Sequence, residues 1–145
     1  MPDPFSFIAN VTAVLGVTAQ SCQYLMTFFS NIMDAPAEIE HSSRWLHALL
    51  STLSELQRLI DDPSIQKQLS FNADFTRCLK DCKDDLQDME SRVLVTSHKL
   101  KANRVRRNWT KFKYGFMSEH SMAKFSRRLQ MYQSTFSIAL ASNQL

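Results

Sequence analysis

PFSFIANVTAVLGVTAQSCQYLMTFFSNIM, from Pro4 to Met33, is a stretch of thirty residues without one charged side chain, bounded by Asp3 and Asp34. Its apolar residues recur at alternating spacings of three and four: Ile8, Val11, Leu15, Cys22, Leu25, Phe29 and Ile32, with Thr18 in the same register. That period predicts one face of a long helix. Phe7, Val14, Val17, Tyr24 and Phe28 make the adjoining face apolar as well. Such a helix has to be covered on most sides, by other helices or by lipid.

The segment is longer than the roughly 20 residues of a membrane span. Ten polar residues interrupt it, among them Asn10, Gln20, Gln23 and Asn31. Asp3 also stands where a secretory signal requires positive charge. The stretch therefore reads as neither a ready transmembrane anchor nor a signal peptide. Ala9, Ala13 and Gly16 form a stripe of small residues along it, read as close packing within a bundle in preference to a self-association motif.

The remaining chain repeats the period. Asp34-Ala35-Pro36 supplies a cap and a first-turn proline, as Asp3-Pro4 does earlier. A second stripe follows in Ile39, Ser42, Leu46, Leu49, Leu53, Leu56 and Ile60. Asp62-Pro63 starts a single turn. A third stripe is Phe75, Leu79, Cys82, Leu86, Met89, Val93, Thr96 and Leu100, and the last is Met122, Phe125, Leu129, Tyr132, Phe136 and Ala139. With two glycines and four prolines in 145 residues, there is little room for hairpins, and the length suits one domain with its own core. The predicted fold is all-α: a four-helix up-down bundle with a short extra amphipathic helix before the last long one. Its helices are placed at about 4–33, 36–61, 72–102, 104–115 and 118–142.

Charge is distributed unevenly. Residues 1–90 hold thirteen acids against six bases (−7), and residues 91–145 hold one acid against eleven bases (+10). This implies either an anionic partner for the C-terminal part or pairing between the two halves. The basic side chains concentrate in Lys99–Phe116, where Arg104, Arg106, Arg107, Lys111 and Lys113 alternate with Val105, Trp109, Phe112 and Phe116. Three readings fit such a helix: aromatics packed on the bundle with charges in water, contact with anionic membrane lipids, or a grip on nucleic acid. Nucleic acid ranks last.

No seat for catalysis is visible. There is no phosphate-cradling glycine motif, His41, His47, His98 and His120 are scattered, and Cys78 and Cys82 form at best half a metal site. The expectation is a non-enzyme without metal or cofactor. Asp84, Asp85 and Asp88 are read as a solvated helix face. Three cysteines do not make a disulfide framework, so buried thiols in a reducing cytoplasm are expected.

Several stretches carry a family likeness: Asp3-Pro4-Phe5-Ser6-Phe7 leading into Val11-Thr12-Ala13-Val14-Leu15-Gly16, Phe29-Ser30-Asn31-Ile32 before Ala35-Pro36, Arg104-Val105-Arg106-Arg107-Asn108-Trp109, and Ser134-Thr135-Phe136-Ser137. From Met1 to about Leu140 the chain resembles the N-terminal domain of fungal STAND (NOD-like receptor) proteins, of the HeLo and HeLo-like group. The resemblance implies a signalling module at the head of a longer receptor in fungal immunity or allorecognition. Such a domain would rest in the cytoplasm, form a homo-oligomer on activation, and permeabilise the plasma membrane. It points to Phe5, Phe7, Ile8, Val11, Val14 and Leu15 as membrane-inserting residues, and to Arg104, Arg106, Arg107, Trp109, Lys111 and Lys113 as the contact with anionic lipid. The alternative is a homotypic or adaptor module that binds other helical-bundle signalling domains and never touches lipid.

Overall fold

The computed structural model describes residues 4–32, 37–66, 73–99 and 119–142. They form α1 (Pro4–Ser30), α2 (Ala37–Asp61), the single turn α3 (Pro63–Gln66), α4 (Ala73–Lys99) and α5 (Glu119–Ser142). The all-helical bundle is as the periodicity predicts. The expected helix at 104–115 lies outside the described residues.

Helix ends follow local chemistry. Glu38 and Glu40 sit in the first turn of α2 and Arg58 in its last, each with the sign that suits the helix dipole. Asp62 caps α3 by accepting from the Ser64 amide at 3.0 Å and the Ser64 hydroxyl at 2.7 Å. α1 has no acidic residue in its first turn and no basic residue in its last, and the expected Asp3 cap lies outside the described residues. It stops three residues short of the expected Met33, because the Asn31 and Ile32 amides turn back to the Phe28 and Phe29 carbonyls at 3.3 and 3.2 Å and tighten the chain.

The stripes meet in one core. Val11, Leu15, Cys22, Leu25 and Phe29 of α1, the whole α2 stripe, Phe75 to Val93 of α4 and the whole α5 stripe are buried together. Each long helix packs on two neighbours: α1 on α2 and α4, and α5 on α2 and α4. α1 and α5 therefore stand on a diagonal. The same geometry corrects the second apolar face of α1. Val17 is 38% exposed and Phe7, Val14, Tyr24 and Phe28 are half-buried, because among the described helices α1 packs on two neighbours and not three.

Direction follows from contacts and connection length. Cys22 of α1 lies against Leu46, and Ser30 against Ser43, so α2 runs antiparallel to α1. Ser21 of α1 meets Glu90 of α4, each 17 residues beyond the start of its helix, so α4 runs parallel to α1 and starts at the end where α2 stops. Phe75 meets Phe136, and Asp85 meets Tyr132 and Arg128, so α5 runs antiparallel to α4. The order is up, down, up, down, with α2 and α4 on the other diagonal.

The small-residue stripe does not pack. Ala9 and Ala13 are exposed, and a Cβ built on Gly16 would meet nothing within 4 Å. Among the described residues no neighbour covers that side of α1, so the expected close backbone packing is not found there. A mid-helix glycine without a steric reason only loses helix propensity. Gly16→Ala is expected to stabilise the domain by about 0.5–1 kcal/mol, read as a higher midpoint in urea. A loss of stability would show that another backbone approaches Gly16 in solution.

Candidate functional site

α1 is the element with unusual chemistry. Its inner face is apolar with two hydroxyls and a thiol folded in. Thr18 donates to the Val14 carbonyl at 2.6 Å, satisfying itself within its own helix. Cys22 donates to the Leu46 carbonyl of α2 at 3.2 Å, and burial pushes its thiol up to about 12. Burial likewise raises Cys78 and Cys82. All three are free thiols and stay protonated, hence unreactive, at neutral pH.

Without a charged side chain, α1 can make no side-chain ion pair. It is tied across its interfaces by hydrogen bonds instead. Ser30 and Ser43 hydroxyls lie 3.3 Å apart at the α2 side. On the α4 side, the Ser21 hydroxyl donates to a Glu90 carboxylate oxygen at 2.7 Å. Ser21 is buried, and the neighbouring Tyr24 hydroxyl is raised by burial and then by the Glu90 charge. The outer face, with Ala9, Asn10, Ala13, Val17, Gln20, Gln23 and Thr27, is exposed and uncharged.

The inserting candidates separate by burial. Val11 and Leu15 are sealed in the core, while Phe7, Ile8 and Val14 pack half-buried against it. Phe5 falls outside the residues whose side chains are described. The lipid candidates Arg104, Arg106, Arg107, Trp109, Lys111 and Lys113 lie outside the described residues. The anchor points of their segment, the end of α4 and the start of α5, stand at the end of the bundle where α1 finishes. The tip of α1 is at the other end, about 40 Å away by helical rise.

A second polar group joins α4 to α5. Asp85 accepts from Arg128 at 2.9 Å and from the Tyr132 hydroxyl. Burial and the Asp85 hydrogen bond raise the Tyr132 hydroxyl far above the ordinary tyrosine range. Asp85 is thus a half-buried bridging carboxylate, a correction to the solvated face expected for Asp84, Asp85 and Asp88. Asp84 and Asp88 are exposed as expected. Here Arg128 of the basic C-terminal part meets Asp85 of the acidic part. Beside the bridge, a cleft of about 190 Å³ is lined by Asp88, Met89, Arg92, Lys124, Phe125 and Arg128. Within it Arg128 meets Asp85, and Arg92 holds Asp88 at 3.1 Å.

Among the described residues, no group of three or more His, Cys, Asp or Glu is placed to hold a metal ion. None of the described helices is long and apolar enough to cross a membrane. Sequence reasoning missed Glu90 and Ser21, because each sits at the edge of its stripe, where spacing alone does not say which neighbour it meets. A serine beside Cys22 on a buried face was the available signal.

No curated protein and no solved structure matches the chain. The family described as pigment biosynthesis cluster protein PigL N-terminal matches residues 2–145, essentially the whole length. This helical bundle, with its charge-free first helix, belongs to the PigL N-terminal family, a domain found in fungal proteins.

Proposed function

We propose that this domain is a non-enzymatic effector module of a fungal immune or allorecognition receptor, folded as a bundle at rest and acting on membranes once clustered. The observation that carries the reading is α1: an N-terminal corner helix with a sealed apolar face, an uncharged outer face and no ion pair to the bundle. It can leave its two neighbours without carrying a charge into lipid, where each charge costs about 2.5–3.5 kcal/mol at the centre of a span. Its departure leaves the α2–α5 and α5–α4 contacts intact. The ten polar residues of the segment then have to face other copies or water, so an oligomer is required. An N-terminal domain is also the expected position for a module that heads a longer receptor.

In this reading the basic segment Lys99–Lys113 meets anionic lipid, while α1 is the element that inserts. Docking and insertion are then separate steps, the second needing α1 to leave the fold. The test is dye release from phosphatidylserine- or cardiolipin-containing vesicles by the domain clustered on a multivalent scaffold. Arg106→Glu with Arg107→Glu is expected to weaken binding to these vesicles at least about tenfold, since each base near an anionic surface contributes about 1 kcal/mol. Unchanged binding would remove the segment as the lipid contact. Absence of release from wild type under clustering would overturn the effector reading.

The adaptor reading draws on α5, where Met131 and Ile138 are 53% and 69% exposed and seven residues apart on one face. It gains if Ile138→Lys blocks self-association or partner capture while vesicles are ignored throughout.

A further inference from the structure

We infer that Ser21 and Glu90 form a latch that holds α1 closed in the resting bundle. The inference rests on the effector reading for its purpose and on the α1–α4 interface for its existence. The Ser21 hydroxyl is buried and donates to the half-buried Glu90 carboxylate at 2.7 Å. Among the described residues it is the side-chain hydrogen bond between α1 and α4. A bond to an ionised acceptor is about twice as strong as a neutral one and needs close alignment.

What makes it a latch is the division of roles. The charge sits on α4, which stays in the bundle, and the hydroxyl sits on α1, which leaves. When the bond opens, Glu90 is rehydrated where it stands, and Ser21 can donate within its own helix, as Thr18 already does. The reverse arrangement, a carboxylate on α1, would hold the helix equally well and oppose its entry into lipid. The apolar seam between α1 and its neighbours sets most of the closing free energy, and Ser21–Glu90 adds a directional tie that fixes α1 in register against α4.

Hydrogen exchange of the full chain, followed helix by helix, tests this directly. Ser21→Ala and Glu90→Gln are each expected to speed exchange of α1 amides about tenfold, the factor that about 1.4 kcal/mol represents, with α2 and α5 amides near their wild-type rates. Thr52→Ala, which removes the 2.8 Å hydrogen bond from Gln133 between α2 and α5, is the control and should leave α1 exchange unchanged. Equal acceleration in every helix, or none in α1, would overturn the latch. Dye release by unclustered Ser21→Ala is measured alongside. Faster α1 opening with release supports latch and effector reading together. Faster opening with no release, even on the scaffold, keeps the latch and sinks the effector reading.

Discussion

Ala13→Glu is expected to leave the bundle folded and to suppress vesicle permeabilisation about a hundredfold. Ala13 is on the exposed face of α1, where glutamate is a good helix former and a surface substitution moves stability by roughly 0.5 kcal/mol or less. Near the middle of an inserted helix the same charge opposes insertion by about 2.5–3.5 kcal/mol, a factor of about 10². Leu15→Glu, two residues on, gives a contrasting result for a different reason. Leu15 is fully buried, so an unpaired carboxylate there unfolds the domain before membranes are involved. Circular dichroism and dye release on the same samples distinguish the two variants. If Ala13→Glu permeabilises vesicles as wild type does, α1 is not the inserting element.

Among side-chain truncations, Phe136→Ala carries the largest expected effect on stability, a loss of about 3–5 kcal/mol against a typical total of about 5–15. Phe136 is fully buried. Its ring meets Phe75 edge to face at 5.7 Å and lies nearly parallel to Tyr132 at 6.4 Å. Removing it leaves a cavity where α5 joins α4, in a core of fixed helices that closes only partly around the loss. The urea midpoint should fall with the slope unchanged, the mark of lost stability in an otherwise unaltered transition. A loss below about 1.5 kcal/mol would mean that the site collapses around the missing ring, and that the aromatic cluster does not hold the two helices together.

These two results probe different parts of the molecule, the exposed face of α1 and the seam between α4 and α5. Sequence alone was enough to set the helices and their buried stripes. Burial tracks a period of 3.6 that is written locally, so Leu15, Leu46, Leu86 and Leu129 could each be placed in the core from spacing alone. It also determined that α1 is free of charge, and hence that hydrogen bonds and apolar packing must hold it. The partner of each stripe was decided only by the tertiary structure. An up-down pattern is compatible with more than one arrangement around the square, and stripe spacing is the same in all of them. Placing α1 and α5 on a diagonal left Val17, Ala13 and Gly16 facing outward. It also set Ser21 against Glu90 and Asp85 against Tyr132 and Arg128. Such polar pairs depend on which helix edges are adjacent, and adjacency between segments 43 to 69 residues apart is a property of the assembled bundle, to which the spacing within any one helix is blind.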